Sequence, residues 1–214
     1  MTHLRVSEIF HSLQGESTRV GLPTVFVRLT GCPLRCTWCD SAFAFTGGEM
    51  LNIDEILRQV AYFDCPVVCV TGGEPLAQKE CLTLLTLLCN AGYSVSLETS
   101  GALDVSAVDA RVSRIVDIKA PDSGEVDKNR WENLDTLTAQ DELKIVLASE
   151  SDYEWAKALL MERHLIGHGT KVLFAAVEGF LASTRLADWI VRDRLPVRLQ
   201  IQLHKVLWGN MRRR

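Results

Sequence analysis

The stretch VFVRLTGCPLRCTWCD, Val25 to Asp40, decides the fold. Its opening, Val25 to Leu29, is a short apolar run of the kind that forms a strand buried on both faces. A loop of Gly31, Pro33, Arg35 and three cysteines spaced C-x3-C-x2-C follows at once. The same join recurs along the chain. VVCV runs into TGGEP, VSL into ETSG, IVDI into KAP, and IQ into LHK. Further strands are expected at Val67 to Val70, Ser94 to Leu97, Ile115 to Ile118, Leu143 to Leu147, Val172 to Ala175 and Val197 to Ile201. Helices are expected between them. Ile53 to Phe63 has Asn52 and Glu55 placed as a capping box, and Glu80 to Ala91 is closed by Gly92. Tyr153 to Arg163 and Ala182 to Arg192 are the other two. Strand–helix alternation implies an α/β fold of parallel strands with helical crossovers. Polar and glycine-rich residues then gather at the carboxyl ends of the strands, the edge where such folds bind ligands. Ser123 to Asp141 is polar and poorly periodic, and no element is assigned to it.

The 214 residues fit one domain, 1–214, large enough to bury a substantial core. Hydrophobic residues make up 47% and charged residues 23%, ordinary for a soluble globular chain. The net charge of −4 gives no pull toward nucleic acid or an anionic membrane. No apolar run is long enough to span a bilayer, and MTHLRVSEIF lacks the regions of a signal peptide, so a cytoplasmic location is expected. Seven cysteines, an odd number in a chain that needs no staple, read as reduced thiols with some serving as metal ligands.

Cys32, Cys36 and Cys39 are three where structural zinc would want four ligands. Cys65 and Cys69 are the nearest extra thiols, but they lie in or beside an apolar strand and read as small hydrophobes. A four-thiolate zinc site and three unconnected core cysteines are the alternatives. A 4Fe–4S cluster differs, because three thiolates leave one iron open to a substrate or cofactor.

C-x3-C-x2-C directly after a first strand, with Trp38 before the last cysteine, resembles the signature of radical S-adenosylmethionine enzymes. Thr71-Gly72-Gly73-Glu74-Pro75 resembles the GGEP motif of that superfamily. The resemblance implies S-adenosylmethionine on the open iron, cleaved by an electron from the cluster to a 5′-deoxyadenosyl radical. A narrower resemblance runs through Phe10 to Ser17 (FHSLQGES), Arg28 to Cys36, Trp38 to Ser41 and Gln202 to Lys205. Over essentially the whole chain it is to the 7-carboxy-7-deazaguanine synthase family. That family contracts 6-carboxy-5,6,7,8-tetrahydropterin to 7-carboxy-7-deazaguanine with loss of ammonia, on the way to queuosine and related deazapurines. It implies a partial, modified (β/α) barrel, Mg²⁺, a homodimer and a flavodoxin-like electron donor.

Site roles follow position by position. Cys32, Cys36 and Cys39 resemble the cluster ligands. Leu13, Gln14, Gly15 and Glu16 match the segment that reads the pterin edge, whose amide and aminopyrimidine groups suit a glutamine, a carboxylate and backbone partners. Arg28 interrupts a strand expected to be buried, so it needs an anion; the substrate carboxylate or an internal ion pair would serve. Thr71 matches a substrate contact and Gly73 a cofactor contact. Glu98, Thr99 and Ser100 match positions near the cofactor ribose, and Lys119 one near its carboxylate. Ser41 stands where the family often has threonine as a Mg²⁺ ligand; it keeps the hydroxyl. The family's final carboxylate reaches the pocket in some members, but Arg212, Arg213 and Arg214 read here as a solvated tail. A radical S-adenosylmethionine activase that makes a glycyl radical on a partner protein would share the cysteine spacing, yet it offers nothing to match Leu13 to Glu16.

Overall fold

The computed structural model describes residues 2–167 and 169–213. Nine strands form one open sheet in the order β3-β1-β2-β4-β5-β6-β7-β8-β9. β2 (Pro23–Leu29), β4 (Val67–Gly72), β5 (Ser94–Thr99), β6 (Ser113–Lys119), β7 (Glu142–Leu147), β8 (Lys171–Ala176) and β9 (Arg198–Gln200) pair in parallel, each with the next. The sheet is thus mostly parallel and does not close, the architecture of a partial barrel.

β1 (His3–Leu13) and β3 (Glu49–Asn52) are antiparallel additions at one edge. The FHSLQGES motif therefore starts on a strand rather than wholly in a loop. β1 buries alternate residues, Leu4, Val6, Glu8 and Phe10, as a half-buried strand should. Glu8 breaks that apolar pattern, which hides the strand from a reading by hydrophobic alternation.

Helices α1 (Ile53–Tyr62), α2 (Cys81–Asn90), α3 (Glu150–Glu162) and α4 (Ser183–Asp193) fall within a few residues of their expected bounds. The Asn52 side chain caps α1 by accepting from the Glu55 amide at 2.9 Å. The core lies between sheet and helices, with Leu84, Leu85, Leu88, Leu97, Ile118 and Tyr153 among its fully buried members. Ser123 to Asp141 contains two short 3-10 turns, Val126–Lys128 and Trp131–Thr136, and Pro121–Ser123 forms another at its start. A fifth α-helix, α5 (Leu203–Trp208), follows β9.

Candidate active site

Every candidate residue named from the sequence, from Leu13 to Ser41 and from Thr71 to Lys119, lines one cavity of about 610 Å³. Strand direction explains part of the convergence: the parallel strands deliver the cysteine loop, Thr71 to Gly73, Thr99, Ser100 and Lys119 to their carboxyl edge. Leu13 to Glu16 instead follow antiparallel β1, whose Leu13 pairs with Pro23 at the start of β2, and they enter the cavity from that end.

The cysteine loop leaves β2 through Gly31, whose amide donates to the Ala44 carbonyl at 2.8 Å. Leu34, 2% exposed, anchors it in the core. The Thr37 amide donates to the Ser123 carbonyl (3.0 Å) and the Arg35 amide to the Glu125 carboxylate (2.5 Å). The stretch that lacked an assigned element is thus a brace for this loop. Cys32, Cys36 and Cys39 are half-buried free thiols on the cavity wall. Burial pushes the Cys32 and Cys36 thiols above the ordinary thiol value; bound iron would have to hold them as thiolates. Among the described residues no three His, Cys, Asp or Glu side chains are grouped so as to hold one metal ion. A four-iron cluster would instead take one thiolate per iron. Cys65, Cys69 and Cys81 are buried outside the loop, as expected of core thiols.

Gly73 braces the loop from beneath. A Cβ there would stand 2.3 Å from the Gly31 carbonyl oxygen and 2.8 Å from Cys32 Cβ, so only glycine fits. The next residue, Glu74, is fully buried. Its carboxylate accepts from the Leu76 amide (2.9 Å), the Thr99 hydroxyl (2.9 Å), and the Ser100 amide and hydroxyl (2.6 and 2.5 Å). Thr99 and Ser100 are therefore held through Glu74, which joins the ends of β4 and β5. Lys119 pairs with Asp117 at 3.0 Å. Asp117 Oδ1 is buried with no partner among the described residues, an acceptor that a ligand donor could satisfy.

The opposite wall holds a connected polar network. Gln14, 3% exposed, donates to Glu98 Oε1 at 3.2 Å, and Thr71 donates to Glu98 Oε2 at 2.9 Å. Glu98 thus sits with the residues expected to read the pterin. Glu16 accepts from Lys144 Nζ, from Gln202 at 2.6 Å and from Gln200 at 3.3 Å. Burial would raise the Glu16 carboxyl, but the Lys144 charge and these hydrogen bonds bring it below its ordinary value. Glu98 moves the other way, raised by burial and then by the Glu16 charge. Burial opposes the charge on Lys144, and Glu16, Asp117 and Glu98 carry its pKa upward. Lys144 is missing from the sequence-derived set, although a lone lysine inside LKIVL gives the same signal as the arginine inside VFVRL.

Lys144→Met is expected to destabilise the fold at neutral pH by about 3 to 5 kcal/mol, because it leaves the Glu16 carboxylate buried without its cation. A depressed carboxyl contributes stability above its unfolded pKa and loses it as pH falls through the folded value. The deficit should therefore shrink in acid, where Glu16 is neutral; urea unfolding across pH 3 to 7 checks this, and a deficit that does not change with pH would argue against it.

Arg28 has the internal ion pair: its Nε meets Glu8 Oε1 at 2.9 Å, across the β1–β2 register. Its remaining guanidinium edge lies at the cavity, near the Phe10 and Phe43 rings at 5.9 and 5.7 Å. Phe10, stacked on Phe26 at 5.0 Å, forms with Cys69 an apolar cluster of its own beside the cavity. Ser41 donates to Asp40 at 2.9 Å at the mouth. The tail departs from expectation. Arg212 and Arg213 both reach Glu8 Oε2 at 3.3 Å and line the cavity; Arg214 lies outside the described residues. α5 also closes the site: the Leu203 amide donates to the Gly15 carbonyl at 2.9 Å, seating His204 against Gly15.

The family model of the radical SAM superfamily matches residues 26–121. A 7-carboxy-7-deazaguanine synthase of Chlorobaculum tepidum is 48% identical over 210 residues, 96% of this chain and 94% of its own. One of Koribacter versatilis is 41% identical, over 96% of this chain and 97% of its own. The crystal structure of QueE from Escherichia coli superposes with a TM-score of 0.78 at 24% identity, covering 94% of this chain and 95% of that one, a likeness of fold. With identity of this order running almost end to end, and with the cysteine loop, glycine brace and Gln14–Glu16 wall on one cavity, the chain belongs to the 7-carboxy-7-deazaguanine synthase family of radical S-adenosylmethionine enzymes.

Proposed function

We propose that the chain is a radical S-adenosylmethionine lyase that converts 6-carboxy-5,6,7,8-tetrahydropterin to 7-carboxy-7-deazaguanine and ammonia. Loss of ammonia alone balances the atoms, so the conversion needs no net oxidant. The observation that carries the reading is the wall of Gln14, Glu16, Thr71 and Glu98 facing the cysteine loop across one cavity. A cavity of about 610 Å³ suits a small ring system with a cofactor. A glycyl-radical activase has no use for that wall, and this alternative is not favoured. Turnover of the carboxylated tetrahydropterin by the anaerobically reconstituted protein tests the reading; cofactor cleavage with no product from this substrate would refute it.

Cys32, Cys36 and Cys39 would hold the 4Fe–4S cluster, and Gly73, Thr99, Ser100, Asp117 and Lys119 would take S-adenosylmethionine. When bound, cluster and cofactor supply one-electron chemistry for the ring contraction. Gln14 and Glu16 pair with the amide and aminopyrimidine edge of the pterin, with Leu13 and Gly15 shaping the approach. Thr71 and Glu98 extend this wall toward the cofactor end. Arg28 takes the substrate carboxylate. The apolar faces of Phe10 and Phe26 exclude water below it.

Magnesium is part of the same proposal. Asp40 and Ser41 offer hard oxygens at the mouth. The wall desolvates Asp40, yet Lys144, the Ser41 and Gln202 hydrogen bonds and Lys205 hold its carboxyl below the ordinary value. Magnesium keeps several waters and takes substrate oxygens, so the Ser41 hydroxyl with the neighbouring Asp40 carboxylate would supply the few protein oxygens it needs. Ser41→Thr is expected to keep the response of turnover to Mg²⁺, and Ser41→Ala to lose it. A Ser41→Ala enzyme that responds to Mg²⁺ as the parent does would place the ligand elsewhere.

We read residues 1–214 as one cytoplasmic domain, supported by a single sheet that draws strands from His3 to Gln200. Among the described residues no helix is long and apolar enough to cross a membrane. A flavodoxin-like donor would supply the electron. A homodimer is favoured by exposed Leu199 on the edge strand β9, Ile201 after it, and Val206 and Leu207 on α5.

A further inference from the structure

We propose that Arg212 and Arg213 are specificity residues: folded back over the pocket, they complete with Arg28 a seat for the substrate carboxylate and set the preference for a carboxylated ring. The inference rests on the reaction proposed above and on four observations.

First, charge is unbalanced at Glu8. This buried carboxylate receives Arg28 at Oε1 (2.9 Å) and both Arg212 and Arg213 at Oε2 (3.3 Å each). Three guanidiniums face this one carboxylate, and Glu98 also feels the Arg28 charge. A cluster with surplus cationic donors attracts an anion, and a carboxylate suits the planar guanidinium fork. Second, the two tail pairs are exposed. The Arg212 and Arg213 side chains are 59% and 65% accessible, against 18% for Arg28. Pairs that open to water contribute little to the fold, so they can exchange Glu8 for a ligand at small cost.

Third, the tail has a fixed path. Arg212 lies 4.0 Å over the Phe43 ring, the ring that also faces Arg28 at 5.7 Å. Both guanidiniums are thus within cation–π reach of the one Phe43 ring, which lines the cavity with them. Fourth, the path begins at Gly209, with φ 61° and ψ −135°, backbone that side-chain-bearing residues rarely adopt. The turn ends α5, and the residues after it, Asn210 to Arg213, line the cavity.

Fluorescence titration of the reconstituted holoenzyme with pterin-6-carboxylate and with unsubstituted pterin tests this. The parent should prefer the carboxylate. The double variant Arg212→Ala, Arg213→Ala should bind pterin-6-carboxylate about tenfold more weakly and pterin unchanged. Arg212→Lys with Arg213→Lys should fall between parent and alanine pair, keeping the part of the preference that charge alone supplies. Gly209→Val, which retains both arginines but disfavours the turn, should resemble the alanine pair. Unchanged pterin binding doubles as the check on folding. An equal loss for both ligands would reduce the tail to a wall, and an unchanged preference would dismiss it; either result overturns the inference while leaving the proposed reaction standing. A parent that binds both ligands alike would overturn the inference and Arg28's role together.

Discussion

Cys36→Ala is expected to lose most of its iron after anaerobic reconstitution and to show no detectable turnover, with Cys32→Ala and Cys39→Ala alike. Each of the three thiols lies on the cavity wall, and each would hold a separate iron. The remaining thiols cannot stand in. Cys69 and Cys81 are fully buried, on β4 and at the start of α2, and burial drives both far above the ordinary thiol value. Cys65 donates to the Pro23 carbonyl at 3.3 Å, and Cys89 sits near the end of α2. Cys69, Cys81 and Cys89 cannot reach the cysteine loop without breaking their own elements, and Cys65 lies before β4, at the opposite end of that strand from the carboxyl edge that carries the loop. Cys65→Ala, Cys69→Ala, Cys81→Ala and Cys89→Ala should therefore keep parent-level iron. Cys69→Ala is the sharpest of these, since Cys69 packs with Phe10 and Phe26 beside the pocket yet should not touch the cluster. Full iron in the Cys36 variant, or lost iron in the Cys69 variant, would defeat the assignment.

The parallel strands were legible because each is a short apolar run ended by a motif, and that join also marks the ligand edge. The site was legible wherever a residue stood inside a quoted motif. What escaped was carried by single charges inside apolar strands. Lys144 in LKIVL and Glu8 in β1 obey the same physics as Arg28 in VFVRL. A charge in a buried strand needs a partner, and the partner is distant in sequence: Glu16 for Lys144, Arg28 for Glu8. Sequence spacing does not encode such pairs. The tail escaped for another reason. Three consecutive arginines look solvated by composition, and only the turn at Gly209 and the buried Glu8 show that Arg212 and Arg213 come back to the pocket. Ser123 to Asp141 lacks helical or strand periodicity because it contains 3-10 turns, two residues of which, Ser123 and Glu125, brace the cysteine loop.

Arg28→Lys is expected to lower turnover about 100-fold while leaving iron content and reductive cleavage of S-adenosylmethionine near the parent's. Lysine keeps the charge and loses the fork. In the parent, Nε is occupied by Glu8 at 2.9 Å, which fixes the guanidinium plane and presents its other edge to the cavity. An ammonium has no second edge to present: paired with Glu8, it offers a carboxylate only what remains of three donors on a freely rotating group. The ring would bind but drift, and a displacement of ~1 Å at a reacting centre can cost about 100-fold in rate. The cysteine loop, which would hold the cluster, shares no hydrogen bond with Arg28 among the described residues, so cluster assembly should be indifferent to the change. Glu8→Gln supplies the control. It keeps an acceptor for Nε but removes the charge that the arginines share, so it should disturb the plane less than Arg28→Lys and lower turnover less. A lysine variant that turns over at the parent's rate would show that charge alone holds the substrate. One that also loses cofactor cleavage would show that Arg28 supports the cofactor half of the site rather than the substrate half.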